Sequence, residues 1–410
     1  MINERISKLR KMMAKRNIDA YIVPSSDPHQ SEYLADYYKT REFITGFTGS
    51  AGTAVITTKK SGLWTDGRYF IQAAKELAAG EVELYKTGLP ESISIEEFLL
   101  QEFPNRGKIA FDGNNTSVAE YENLIKKLPN FEFITDVDYV GEIWNEEGRP
   151  ASPDSKVYIF DEKYAGESTS DRLARLRAMM KERGIDYHFI GSLDDIAYVL
   201  NIRANDVQCN PVVISYLLVS DKACNLYIDK SKLSEEVANY LKENNVCIKP
   251  YEVIGRDVSD IEARKTLYLE PRKTNVAVYS SIGRGVNVVT GTNLTSLMKC
   301  HKNEIEIKNT KNAYIKDGVA LVRFLNWLET GIPTGTITEM IASEKLLEFR
   351  KQQDLFIEDS FESISAYGAN ASMPHYKPSH ENPVKVEPRG LYLIDSGGHY
   401  LDGTTDITRT

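Results

Sequence analysis

Arg5-Ile-Ser-Lys-Leu9-Arg10-Lys-Met12-Met13-Ala-Lys-Arg16-Asn-Ile18-Asp19 returns 167 residues later as Arg172-Leu-Ala-Arg-Leu176-Arg177-Ala-Met179-Met180-Lys-Glu-Arg183-Gly-Ile185-Asp186. Eight residues agree in register, more than chance likeness between two amphipathic helices supplies. In the first copy Ile2, Ile6, Leu9 and Met13 follow helical spacing, with Lys and Arg between them. Each copy runs into a short β-prone segment, Tyr21 to Val23 and Tyr187 to Ile190. The period is too long for a solenoid. Two copies of one α/β domain are therefore expected, with Leu9 and Leu176 at equivalent core positions.

Away from this match the copies have drifted. The first continues through Gly46-Phe-Thr-Gly-Ser-Ala-Gly52, the β run Thr53 to Thr57, and Leu63-Trp-Thr-Asp-Gly-Arg-Tyr-Phe70. The second continues through Asp195 to Arg203 and the β-rich Val212 to Val219. Gly148-Arg-Pro-Ala-Ser-Pro-Asp-Ser155, rich in turn formers, reads as the linker. Alternating strands and helices place both copies in the α/β class.

A third region opens near Lys302. Asn303 suits a helix N-cap, and Glu304 and Glu306 suit the positive end that follows. The pattern runs to about Glu329, with Tyr314, Leu321, Leu325 and Leu328 on one stripe. A second helix is expected near Thr338 to Gln352, then strands at Phe361 to Ser365 and Leu391 to Asp395. The chain stops at Thr410 within a strand-like run, so this region is expected to be incomplete. Domain limits are expected at 1–155, 156–303 and 304–410.

Composition narrows the function. The 410 residues carry 50 basic and 59 acidic side chains, a net charge of −9. The basic residues lie mostly beside Glu or Asp, as on solvated helix faces, so no nucleic-acid partner is expected. No apolar run reaches the roughly 18–20 residues that cross a bilayer, so no membrane association is expected. Met1 to Arg10 has no apolar core and no small-residue cleavage site, so it is not expected to act as a secretory signal. The cysteines at 209, 224, 247 and 300 are far apart and read as reduced, mostly buried thiols of a cytoplasmic protein.

The Gly46 to Gly52 loop lacks both the P-loop ending and the dinucleotide spacing, so it reads as a turn between strands. No serine has a nucleophile-elbow setting. The C-terminal stretch Leu391-Tyr-Leu-Ile-Asp395-Ser-Gly-Gly-His-Tyr-Leu-Asp402-Gly-Thr-Thr-Asp406-Ile-Thr-Arg-Thr410 carries more chemistry. Asp402-Gly403 is a hairpin turn signal. Reflection about it puts Asp406 opposite His399, on the face that also carries Asp395. A plain turn leaves the two carboxylates roughly 13 Å apart along the strand. Sharing a metal needs a bulge or a sharper twist, which Gly397 and Gly398 could supply. Spacing alone leaves two readings open, a divalent-cation site and a pair of Asx turns in a surface hairpin.

Asp395-Ser-Gly-Gly-His-Tyr-Leu-Asp-Gly-Thr-Thr-Asp406-Ile-Thr-Arg-Thr resembles the signature of Xaa-Pro aminopeptidases (aminopeptidase P), which are pita-bread metallopeptidases. Gly46 to Ala54, Trp64-Thr-Asp-Gly-Arg-Tyr-Phe70, Tyr164-Ala-Gly-Glu-Ser168, Asn210-Pro-Val212 and Lys302-Asn-Glu-Ile-Glu306 extend the likeness to the long, three-domain form. The resemblance implies two creatinase-N-like α/β domains followed by an incomplete α+β pita-bread catalytic domain. It implies a metal-dependent exopeptidase that releases the N-terminal residue from peptides with proline second. Two divalent cations, manganese first, a cytoplasmic location and a homodimer are also implied.

Residue by residue, the likeness makes Asp395 a ligand of one metal and Asp406 the bridging ligand. It makes His375 a catalytic and substrate-binding group near the scissile bond. Taken alone, His375 would read as structural. Arg68 matches an arginine that reaches toward bound peptide, against the plainer reading of a surface pair with Asp66. The family's further His and two Glu ligands are expected beyond Thr410, which would leave this chain inactive by itself. Ala204 and Cys209 stand where Gly and His are usual, and Ala369-Asn-Ala-Ser-Met-Pro374 departs from the usual Pro-Asn-Gly-Ala run. The alternatives are a prolidase-like dipeptidase and a non-catalytic binding or assembly fragment.

Overall fold

The computed structural model describes residues 1–410. By compactness the chain divides into two units, Met1–Ile159 with Thr169–Cys300, and Phe160–Ser168 with His301–Thr410.

The N-terminal unit holds two six-stranded sheets. The first runs Val82–Lys86, Ser61–Thr65, Thr53–Thr57, Ala20–Pro24, Lys108–Ala110, Glu132–Ile134. The second runs Cys247–Lys249, Cys224–Tyr227, Tyr216–Ser220, Tyr187–Ile190, Thr266–Leu269, Asn287–Thr290. By chain position the order is the same in both, and so is every strand direction. The first strand pairs antiparallel with the second and parallel with the fifth.

Each sheet is preceded by the repeated helix, Ile2–Lys15 and Thr169–Glu182. Ile6, Leu9 and Met13 are buried on the first, and Leu173, Leu176 and Met180 on the second. Leu9 and Leu176 thus occupy matching places before the first strand. Each joins a separate apolar core, Leu9 with Ile44, Ile56 and Val140, and Leu176 with Ile196, Leu217 and Leu226.

The two copies meet by exchanging equivalent atoms. Val118 N–H donates to Thr274 O at 2.9 Å while Val276 N–H donates to Thr116 O at 2.9 Å. Ala119 N–H donates to Pro271 O, and Ala277 N–H to Gly113 O. Ser117 and Asn275, the N-caps of the helices that follow each fifth strand, face one another at the centre of this exchange. Such reciprocity is how a two-fold-related interface pairs its groups. Here it lies within one chain.

The C-terminal unit is built on the 28-residue helix Glu304–Gly331 and the helix Glu339–Lys351. Asn303 and Glu306 close a capping box at the first helix's start. The buried face of this helix carries Ala313, Asp317, Ala320, Leu321, Phe324 and Leu328. Tyr314 and Leu325 are exposed, so the expected stripe is turned by about one residue. Small Ala313 admits the close approach of Gly403, where an added Cβ would stand 3.0 Å from the Ala313 Cβ.

Two three-stranded sheets complete the unit. One joins Phe356–Asp359, Gly398–Tyr400 and Gly403–Thr404; the other joins Ile364–Tyr367, Tyr392–Ser396 and Ile407–Arg409. The strand expected at Phe361 to Ser365 is found at Ile364–Tyr367, and just past the strand Phe356–Asp359 the chain is tied down by Ser360. Its N–H donates to Gly397 O and its hydroxyl to Thr405 O. All four cysteines are free thiols, Cys209 and Cys224 buried, Cys247 and Cys300 exposed, so only half are buried. The exposed pair end up on a sheet-edge strand and at a helix end, where no core needs them. No helix is long and apolar enough to cross a membrane.

Candidate active site

Residues Tyr392 to Arg409 form one antiparallel ribbon that passes from one small sheet to the other. Asp395 pairs with Thr408 and Ser396 with Ile407; beyond the crossing, His399 pairs with Thr404 and Tyr400 with Gly403. The turn is thus Leu401-Asp402, one residue earlier than the Asp402-Gly403 signal implied. Asp406 falls opposite Gly397, not His399. It is therefore the diagonal neighbour of Asp395, roughly 7–8 Å away rather than several residues along the strand.

Tertiary ties explain the shifted turn. The Asp402 carboxylate is buried and accepts Lys316 Nζ at 2.6 Å and Asn312 Nδ2 at 2.6 Å, both on the long helix. Asp402 therefore stays in the turn with its carboxylate held against the long helix instead of facing solvent. Gly397 and Gly398 mark the crossing, and the register runs through it with no extra residue on either strand, so the expected bulge is absent. An added Cβ at Gly397 would collide with Thr405 O and Ser360 Oγ. The crossing is locked by Gly398 N–H donating to Thr405 Oγ1 and Thr405 N–H donating to Gly398 O, both at 2.9 Å.

A buried ion pair lies against this crossing. Arg350 Nε donates to Asp317 Oδ1 at 2.7 Å, and Arg350 Nη2 donates to Ser396 Oγ at 3.0 Å. Asp317 also accepts from Tyr400 O–H and from Thr405 O–H. Ser396 and Thr405 are the chain neighbours of Asp395 and Asp406. Nearby Asp359 is pushed up to about 6, first by burial and against the pull of Arg350.

Asp395 is half-buried and Asp406 exposed. Thr408 O–H donates to Asp395 Oδ1 at 2.5 Å, leaving the second oxygen for another partner. Hard carboxylate oxygens of this kind fit a divalent cation. No group of three or more His, Cys, Asp or Glu side chains gathers here or elsewhere in the chain.

His375 sits half-buried in the turn Met373–Tyr376, closed by Tyr376 N–H donating to Met373 O. This turn follows the strand Ile364–Tyr367, which is paired with the Asp395 strand. Arg68 belongs to the N-terminal unit. Its Nε and Nη2 each donate to the Asp66 carboxylate at 2.8 Å, with the guanidinium 5.4 Å from the Tyr69 ring centre. That is the surface pair of the plainer reading.

Sequence reasoning passed over Asp317, Arg350 and Glu339. Each reads as a charge on a solvated helix face. The available signal was Asp317 falling in line with Ala313, Leu321 and Phe324.

Comparison with known proteins places this geometry. The Creatinase/Prolidase N-terminal domain matches residues 5–141 and again, in a second form, 148–306. Metallopeptidase family M24 matches residues 308–410. Xaa-Pro aminopeptidase 1 of Dictyostelium discoideum is 37% identical over 423 residues, covering 100% of this chain and 67% of that protein. The chain belongs to the Xaa-Pro aminopeptidase family. Aminopeptidase P2 of Arabidopsis thaliana is 36% identical, and this chain spans 62% of its length. The solved X-prolyl aminopeptidase of Caenorhabditis elegans, a cytosolic enzyme with a di-nuclear active site, superposes with a TM-score of 0.94. It is 34% identical, with 100% of this chain and 70% of that chain covered. The fold is accordingly that of two creatinase-N-like domains and an M24 pita-bread domain.

Proposed function

We propose that this protein is a metal-dependent aminopeptidase that releases the N-terminal residue from peptides with proline in second place. The reading is carried by Asp395 and Asp406 standing as diagonal neighbours on one ribbon in a chain of this family. Its parts are two creatinase-N-like domains, 1–155 and 156–303, and a catalytic portion from 304. The reading calls for a further His and two Glu ligands beside these aspartates. The location is cytoplasmic and the assembly a homodimer.

Two divalent cations, manganese first, would supply a hydroxide near neutral pH and polarise the scissile carbonyl. Asp395 would hold one and Asp406 both, as ionised carboxylates. His375 would donate a hydrogen bond to the oxygen that gains charge as the carbonyl is attacked. A proline amide has no N–H to be read, so recognition falls on the ring and the free amine. Arg68 is assigned to the bound peptide, which requires it to give up part of its pairing with Asp66.

The test is hydrolysis of an Xaa-Pro-Xaa tripeptide, an Xaa-Pro dipeptide and an Xaa-Ala-Xaa control with manganese, using the protein at the length of its relatives. Release of the first residue from the tripeptide but not the control is expected. Cleavage confined to the dipeptide would replace this reading with a prolidase-like one. No cleavage at all would leave a binding or assembly role.

A further inference from the structure

The Glu339 carboxylate opens the helix Glu339–Lys351 and is buried, 1% exposed. Its partners are hydrogen-bond donors rather than cations. Tyr367 N–H donates to Oε1 at 2.5 Å, Asn370 Nδ2 donates to Oε1 at 3.1 Å, and Tyr376 O–H donates to Oε2 at 2.6 Å. Asn370 Nδ2 also reaches Tyr376 Oη at 3.0 Å. A buried carboxylate is tolerated when its lone pairs are filled in this way and when the helix N-terminus lies behind it.

These donors come from the two ends of one segment. Tyr367 and Asn370 enter it, and Tyr376 leaves it directly after His375. Between them Ser372 and Pro374 are exposed, and the bonds Met373 N–H to Asn370 O, Ser372 O–H to Ala369 O and Tyr376 N–H to Met373 O are internal to the loop. One carboxylate therefore draws both ends of the loop onto the start of a helix and fixes where the His375 backbone sits.

We propose that Glu339 is the positioning residue for His375. It acts through Tyr376 and Asn370 and touches no substrate. The proposal rests on the reading of His375 given above. Glu339→Gln keeps the shape but turns one acceptor oxygen into a donor that faces Tyr376 O–H or Asn370 Nδ2. Tyr376→Phe removes a single bond and serves if the first variant does not fold.

Two measurements test it. In the 410-residue chain, amide exchange over residues 368–376 should quicken about tenfold or more, and the His375 imidazole NMR signals should shift toward those of a mobile ring. In the protein at the length of its relatives, kcat on an Xaa-Pro tripeptide should fall roughly 10- to 100-fold, with KM and metal content within about twofold. Unchanged exchange and unchanged His375 signals in both variants would overturn the proposal whatever the enzymology. If the loop loosens and kcat holds, His375→Ala decides. A His375→Ala protein with reduced kcat overturns the role of Glu339, whereas one with normal kcat overturns the reading of His375 itself.

Discussion

Asp317 and Arg350, both fully buried on neighbouring helices, form a two-point ion pair with oxygen-to-nitrogen distances of 2.7 and 3.3 Å. Through Thr405 and Ser396 the pair reaches the residues beside Asp406 and Asp395. Removing one partner strands the other charge in a low-dielectric interior. Asp317→Asn should therefore cost about 3–5 kcal/mol in denaturant unfolding. A loss below about 1 kcal/mol would mean that water reaches the guanidinium.

Gly397→Ala tests the ribbon crossing. The new methyl must push Thr405 O and Ser360 Oγ aside, and overpacking of this kind costs about 1–3 kcal/mol. Parting these strands also moves Asp406 away from Asp395. Manganese affinity, measured by calorimetry in the protein at the length of its relatives, should fall with the melting temperature. Affinity held at the parent value would show that the two carboxylates do not depend on the crossing.

A third prediction concerns pH. Burial lowers the His188 imidazole to about 4. Leu294 N–H donates to its Nε2 at 3.2 Å, which leaves Nδ1–H to donate to Tyr268 O. Protonating Nε2 would set two hydrogens against each other. The folded value lies below the unfolded 6.5, so the unfolded chain takes the proton first on acidification. This group's contribution to stability is intact above about 6.5 and is lost as pH falls from there toward 4. His188 ring signals should show a neutral imidazole at pH 5; half-protonation near 6.5 would refute the buried-neutral assignment.

The duplication was legible because Leu9, Met13, Leu176 and Met180 carry both a helical period and a core role. The family was legible because the motif from Asp395 to Thr410 is specific. The one-residue shift of the turn to Leu401-Asp402 was not, since the bonds that hold the Asp402 carboxylate come from Lys316 and Asn312, 86 and 90 residues earlier in the chain. Asp317, Arg350 and Glu339 were hidden for the same reason. A charge on a helix reads as solvated unless its distant partner is known, and pairing across 33 residues leaves no local trace.

Exchanging single groups should separate metal holding from catalysis. Asp406→Asn keeps the side-chain shape but removes the charge that its proposed place between two cations calls for, so metal content and turnover should collapse together. His375→Ala should lower turnover while metal content stays near the parent value. Both are read by metal analysis beside the peptide assay. A His375→Ala protein that loses its metals would make His375 a ligand, and the assignment of Asp395 and Asp406 would need a third partner beside them.

The last prediction concerns the 410 residues by themselves. Asp395 and Asp406 offer carboxylate oxygens, but no third His, Cys, Asp or Glu joins them. Water would fill most positions around any cation bound there, and each missing charged ligand removes both attraction and geometry. Manganese titrated into this chain should therefore bind weakly, with a dissociation constant at least about a hundredfold above that of the protein at the length of its relatives. A hydroxide held so loosely is neither acidified nor aimed at a carbonyl, so Xaa-Pro hydrolysis should stay near the uncatalysed rate. The two six-stranded sheets have their own cores, and their far-ultraviolet and thermal signatures should persist in the same sample. Tight manganese binding with sustained turnover, free of contaminating peptidase, would show that these two aspartates and His375 suffice.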